Sequence, residues 1–167
     1  MNDPIRRLGA DDAEAFRVQR RACLRDEPLA FGSDLETNFA NSLEAARDTV
    51  TGKTRSVVFG AFRDELVGIV GVMRSRHLKE AHKVWVWGMY VRPEARGVGL
   101  GRGLLDAVVA HARGLDGVSR VTLSVTTAAT AARRLYESAG FAVWGVEKDA
   151  LRHDGQSVDE VHLALTL

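Results

Sequence analysis

The sequence predicts a mixed α/β sheet with helices on both faces. Three observations lead to it. Runs of β-branched and apolar residues stand close together in mid-chain, at Ser56 to Phe62, Leu66 to Arg74 and Lys83 to Val91. Two segments of helical spacing precede them, and two more alternate with the later strand-like runs. In order, the elements spell βααβββαβαββ, a central hairpin run followed by helix crossovers.

Each element has a local cause. Ile5 to Leu8 is a short strand, after which Asp11 offers an N-cap to a helix carrying Ala13, Phe16, Cys23 and Leu24. That helix must end near Pro28, because the residue before a proline avoids the α region. Asp26 to Phe39 is irregular. A second helix begins at Asn41, with Glu44 placed to close a capping box and Gly52 to stop it. The first two strands are joined by Arg63-Asp64-Glu65, the length of a hairpin turn. From Gly101 to Ala112 the apolar positions Leu104, Leu105, Val108, Val109 and Ala112 keep helical spacing, and Gly114 ends the run. Val121 to Val125 is a strand, about Ala129 to Ala139 a helix stopped by Gly140, and Phe141 to Val146 and Val158 to Leu165 are two closing strands.

Composition narrows the function. A chain of 167 residues, 46% hydrophobic, with no linker, repeat or low-complexity tract, is expected to form one domain over residues 1–167. Its 23 Lys and Arg against 22 Asp and Glu generate no field that would draw it to nucleic acid or an anionic membrane, so anion binding must be local. Cys23 is alone, which excludes an intrachain disulfide and points to a reducing compartment. Met1 to Leu8 lacks the apolar stretch of a signal peptide, and no apolar run approaches the roughly 18 residues of a membrane span, so the cytoplasm is the expected location. His77, His82, His111, His153 and His162 show no metal-ligand spacing, and no metal site is expected.

The informative stretch is Val91-Arg92-Pro93-Glu94-Ala95-Arg96-Gly97-Val98-Gly99-Leu100-Gly101-Arg102-Gly103-Leu104-Leu105: a strand end, a turn, a glycine loop and a helix start. A pyrophosphate needs several backbone N–H donors aimed at one point, and successive amides entering a helix supply them with the positive end of the helix dipole behind. Gly97, Gly99 and Gly101 suit a close approach of phosphate, and Arg96 and Arg102 add cations that could pair with it. A nucleoside-triphosphate loop needs Gly-Lys-Ser/Thr at its end, whereas Gly101 is followed by Arg102 and Gly103. The dinucleotide spacing G-x-G-x-x-G also fails, since counting from Gly97 lands on Arg102 and from Gly99 on Leu104.

Arg96-Gly97-Val98-Gly99-Leu100-Gly101 resembles the R/Q-x-x-G-x-G/A acetyl-CoA motif of the GNAT N-acetyltransferase superfamily. Trp87-Gly88-Met89-Tyr90-Val91-Arg92-Pro93-Glu94 resembles the strand and turn before that motif. Ala132-Arg133-Arg134-Leu135-Tyr136-Glu137-Ser138-Ala139-Gly140-Phe141 resembles the family's next helix, and Pro28-Leu29-Ala30-Phe31-Gly32-Ser33 a segment between its first two. The resemblance implies a mostly antiparallel central sheet flanked by helices and an acetyl-CoA-dependent N-acetyltransferase acting by direct attack of an amine on the thioester. It implies that backbone groups of Met89 and Val91, on a strand splayed from its neighbour, bind the pantetheine arm. Amides of Arg96, Gly97, Val98, Gly99, Leu100, Gly101 and Arg102 would hold the pyrophosphate. Gly88 marks either a bulge that begins the splay or packing room beside Trp87.

Periodicity alone makes Tyr136 a half-buried aromatic on an amphipathic helix. The resemblance makes it the catalytic acid, a phenol of pKa about 10 donating to the thiolate expelled from the tetrahedral intermediate. A strand amide near Val91 is the expected oxyanion donor, worth about 3 to 4 kcal/mol. Many relatives carry Asn where this chain has Ala129, with Thr127 or Thr130 as substitutes. The strand before the loop offers no carboxylate as general base; Glu80, His82, Asp34 or a water chain stay open.

Trp85 and Trp87 share a face by alternation and read as a core or sheet-surface pair that could wall an acceptor pocket. Arg17, Arg20, Arg21 and Arg25 read as a solvated helix face, and Cys23 as a small buried apolar group. Arg133 and Arg134 lie where they could reach the coenzyme. Acidic residues of Asp26 to Thr37 and Glu147 to Val158 are compatible with a cationic small-molecule or peptide amine, and the family's habits make a homodimer possible. The alternative is a non-catalytic acyl-CoA-binding sensor or regulatory module of the same fold.

Overall fold

A computed structural model describes residues 4–167; part of the polar N-terminal stretch considered above lies outside them. The described elements run β1 (Ile5–Arg7), α1 (Ala13–Asp26), α2 (Leu43–Val50), β2 (Ser56–Phe62), β3 (Leu66–Arg74), β4 (Lys83–Val91), α3 (Leu100–Arg113), β5 (Arg120–Thr126), α4 (Thr130–Ser138), β6 (Ala142–His153) and β7 (Gln156–Thr166). This is the predicted order. The strands form one seven-stranded sheet in the order β1-β2-β3-β4-β5-β7-β6, in which only β4 and β5 pair in parallel.

Two apolar clusters sandwich the sheet. On one face Phe16, Cys23 and Leu24 of α1 and Ala46 and Val50 of α2 pack on Val58, Ile69 and Tyr90. On the other, Leu104, Leu105 and Val108 of α3 pack on Val70, Val84, Val86, Leu123 and Leu163. Each fully buried Leu or Phe contributes roughly 1.5 to 3 kcal/mol, so α3 is held firmly enough to fix the glycine loop at its start.

Three local expectations are corrected. Asp12, not Asp11, organises the start of α1: its carboxylate accepts from Gly9 N at 2.8 Å and from the Arg6 guanidinium at 2.7 and 2.8 Å, shaping a 3-10 turn over Ala10–Asp12. The second helix is capped by Ser42, whose Oγ accepts from Ala45 N at 3.1 Å. The Asn41 side chain is spent on Leu35 O, Glu36 O and Arg21. Most of Glu147 to Val158, read as a loop, instead extends the β6–β7 hairpin. Its tip, Asp154-Gly155, has φ of 48° and 75°, the two left-handed residues of a type I′ turn, and Asp-Gly is a strong hairpin signal. Between Glu147↔Glu160 and Leu151↔Val158 three residues bulge out, pinned by Asp149 to Arg152 and Ser157 and by Asp159 to Lys148. No described helix is long and apolar enough to cross a membrane.

Candidate active site

The site is a gap in the sheet. β4 and β5 pair only at Lys83↔Arg120, Val84↔Val121 and Trp85↔Thr122; beyond Trp85 they part. The register of β4 on β3 shifts between Gly71↔Trp87 and Ile69↔Tyr90, and Gly88 sits at that bulge with φ of 64°. The extra residue moves every later side chain to the opposite face. Val84 and Val86 belong to the α3-side core, with Trp85 and Trp87 opposite them; after the bulge Met89 and Val91 pack on the α3 side and Tyr90 on the α1 side. Because Arg92 N bonds to Val67 O, ladder alternation turns the backbone groups of Val91 and Met89 away from β3, toward the gap.

A cavity of about 270 Å³ opens through this gap. Tyr136, Ala132 and Ala129 line it from α4, and Arg20, Trp87 and Glu160 also border it. Tyr136 is 5% exposed, and no hydrogen bond from its hydroxyl is found among the described residues. Burial alone raises its pKa above the usual 10, so it is a neutral donor at any ordinary pH. The predicted tryptophan pair borders the cavity, Trp87 meeting Phe16 and Phe39 edge-on at centroid distances of 6.4 and 5.3 Å.

The glycine loop lies where β4 leads into α3. Gly97 and Gly99 have φ of 82° and 88°, and a Cβ on either would meet nothing within 4 Å. Their glycine requirement is therefore conformational, with open space in front of them. The first amide of α3 with a helical acceptor is Gly103 N, bonded to Gly99 O at 2.9 Å; among the described residues the amides from Gly97 to Arg102 have no acceptor. Gly101 faces inward, where a Cβ would lie 3.4 Å from Leu135. Such a run of unspent donors at the start of a fourteen-residue helix suits a pyrophosphate. Arg96, expected among the phosphate-binding amides, is not free: its N–H donates to Pro93 O at 3.2 Å and its guanidinium is turned back, donating to Val91 O at 2.8 Å and to Glu27 at 3.2 Å, while Arg102 pairs with Asp106.

The acetyltransferase (GNAT) family model matches residues 20–141, most of the chain. The chain belongs to the GNAT family. GNAT enzymes are acetyltransferases that use acetyl-CoA. It is similar to mycothiol acetyltransferase of Thermobispora bispora, 52% identical over 65 residues that cover 39% of this chain and 21% of that protein. The chain thus spans about a fifth of the length of that relative. In fold it is similar to a GNAT-family acetyltransferase from Streptococcus pneumoniae, TM-score 0.85 and 20% identity over 98% of both chains. It is similar as well to yncA of Salmonella typhimurium, solved with acetyl-CoA, TM-score 0.83 and 22% identity over 100% of this chain and 95% of that one.

The polar residues considered for this GNAT site are dispersed by the fold. Asp34 is consumed by its own turn, accepting from Glu36 N and from Thr37 N and Oγ1 at 2.8 Å. Glu80 is bound to Ser75 and Lys83. The His82 carbonyl accepts from Ser119 N outside the cavity lining. Arg133 pairs with Glu137 on the helix surface. Cys23 is buried with its thiol pushed up to about 11, which leaves it inert. Sequence reasoning missed Glu160, which borders the cavity from β7. One of its carboxylate oxygens lies within 4.8 Å of ligand atoms of Glu147, on the neighbouring strand, and His162. The available signal was alternation: Val161 and Leu163 are buried, so Glu160 and His162 share the other face.

Ala129 is the N-cap of α4 and provides no side-chain acceptor; neither Thr127 nor Thr130 replaces one. Ala129→Asn is expected to raise stability by about 1 kcal/mol, read as a higher urea midpoint at unchanged slope.

Proposed function

We propose that this chain transfers acetyl from acetyl-CoA to a primary amine in the gap between β4 and β5. One observation carries the reading: Tyr136, with its unbonded hydroxyl, and Glu160 line the same cavity. The free amides from Gly97 to Arg102 fit the pyrophosphate, and the outward backbone of Met89 and Val91 fits the pantetheine arm. The bound co-substrate supplies an acyl group activated as a thioester.

The chain's own residues then orient the reactants and handle protons. An amine acceptor resembling Lys is an ammonium, pKa about 10.4, and must lose a proton to become a nucleophile. Glu160 takes it. Glu147, whose side chain is 58% exposed and lies 3.3 Å from His162, leads from Glu160 toward solvent. The Val91 amide faces the charge developing on the carbonyl oxygen. One C–N bond forms and one C–S bond breaks; of the two protons lost by the ammonium, one ends on the thiol and one in solvent. Since the thiol pKa is about 8.5, a phenol held above 10 serves the departing sulfur as a hydrogen-bond donor.

Free-thiol release from acetyl-CoA, followed with and without a panel of amines, tests this reading. Amine-dependent release supports it, whereas binding without turnover favours the sensor alternative. Glu160→Gln should lower kcat/KM at least about tenfold at pH 7, with the deficit shrinking toward pH 9.5 as the free amine forms unaided. A deficit independent of pH would remove Glu160 from proton transfer.

A further inference from the structure

Arg20 is buried in the wrong company for a cation. It is 3% exposed, yet it belongs to α1, where its spacing with Arg17, Arg21 and Arg25 suggested a solvated face. Among the described residues it makes no ion pair. Its Nε donates to the neutral amide of Asn38 at 3.3 Å, and Nη1 meets the Cys23 sulfur at 3.8 Å. The Cys23 thiol itself donates to Arg20 O at 3.0 Å and is not a thiolate at neutral pH, so it supplies no counter-charge. The guanidinium is ringed instead by Phe31, Phe39 and Trp87, with centroids 5.4 to 5.7 Å from Cζ.

A guanidinium cannot shed its charge and carries five N–H donors. An isolated buried cation is costly unless an anion comes to it. Room for the group comes from Gly88, where a Cβ would stand 3.1 Å from Nη1. The bulge that opens the sheet therefore also admits Arg20 to the cavity, which Arg20 and Glu160 both border. Aromatic walls lower the local dielectric and so strengthen any charge pair formed between them.

We infer that Arg20 is a specificity-determining residue that binds a carboxylate on the acceptor, making the acceptor a small amino acid-like molecule with both an amine and a carboxylate. The inference rests on the acetyl-transfer reading. Arg20 takes the carboxylate through its planar fork of donors, and Glu160 takes the ammonium end. The acidic residues of Asp26 to Thr37 and Glu147 to Val158 are compatible with the amine end of such an acceptor, and Arg20 adds a charge of the opposite sign at the cavity.

The test compares the standard amino acids with their primary carboxamides as acceptors, at saturating acetyl-CoA, in wild type, Arg20→Met and Arg20→Lys. The wild type is expected to favour at least one acid over its own amide by 50-fold or more in kcat/KM, about the discrimination lost with one buried charged contact. Arg20→Met should erase that preference chiefly through KM, leave amide turnover within about threefold, and melt no lower than wild type because an apolar side chain replaces an unpaired buried charge. Arg20→Lys should restore the preference in part. Amides used as well as acids by wild type, or a preference that survives in Arg20→Met, would overturn the inference. Calorimetry with CoA and the same acids separates the two readings. If no amine is acetylated but an acid binds wild type and not Arg20→Met, the acyl transfer fails and the carboxylate site stands; if no acid binds either, the site fails too.

Discussion

Tyr136→Phe is expected to lower kcat by about 100- to 1,000-fold, the usual loss when one preorganised donor to developing charge is removed. KM for acetyl-CoA should stay within about threefold, since in the proposed mechanism the hydroxyl acts on the leaving sulfur and not on the ground-state cofactor. The effect should come without a folding defect, because the Tyr136 hydroxyl makes no hydrogen bond among the described residues. The direction of its pKa shift adds a second readout. Burial holds the phenol neutral past its usual 10, so Tyr136 contributes no limb to the pH–rate profile below that pH, and the Phe variant should keep the wild-type limbs at a lower plateau. Steady-state kinetics from pH 6 to 9.5 would read both. An unchanged kcat would return Tyr136 to packing alone.

Gly99→Trp should weaken both acetyl-CoA and free CoA at least about 100-fold by calorimetry, because both carry the pyrophosphate that we propose meets the amides at the start of α3. Gly99→Ala separates bulk from strain. With φ of 88° and nothing within 4 Å of its Cβ, the alanine pays backbone strain of about 1 to 2 kcal/mol in the free protein without filling the space before the amides. It should melt lower than wild type yet keep most of its cofactor affinity. If Gly99→Trp binds both ligands normally, the loop is only a strand-to-helix turn.

Much of this fold was legible because its signals are local. β2, β3 and β4 begin and end where their apolar runs do, and α3 keeps the spacing of Leu104, Leu105, Val108 and Val109. The glycine loop was legible for the same reason: a strand-to-helix turn with left-handed residues at Gly97 and Gly99 is set by consecutive residues, so its signature is contiguous. The caps at Asp12 and Ser42 were harder to place, since several polar residues stand at each helix start and distant partners, Arg6 for the one and Leu35 and Arg21 for the Asn41 side chain, decide which is free to cap. The long β6–β7 hairpin escaped because Lys148 to Ala150 interrupt its alternation, although Asp154-Gly155 announced the turn.

The sequence by itself determined the element order, the glycine loop before α3 and, through resemblance, the GNAT family, because these depend on neighbours along the chain. Tertiary structure alone decided which charges meet at the cavity. Glu160 reaches it only because β7 inserts between β5 and β6, and Arg20 only because a bulge at Gly88, one residue long, opens β4 beside α1. Whether a charged side chain is solvated or functional depends on what other elements place against it, and local sequence does not carry that information.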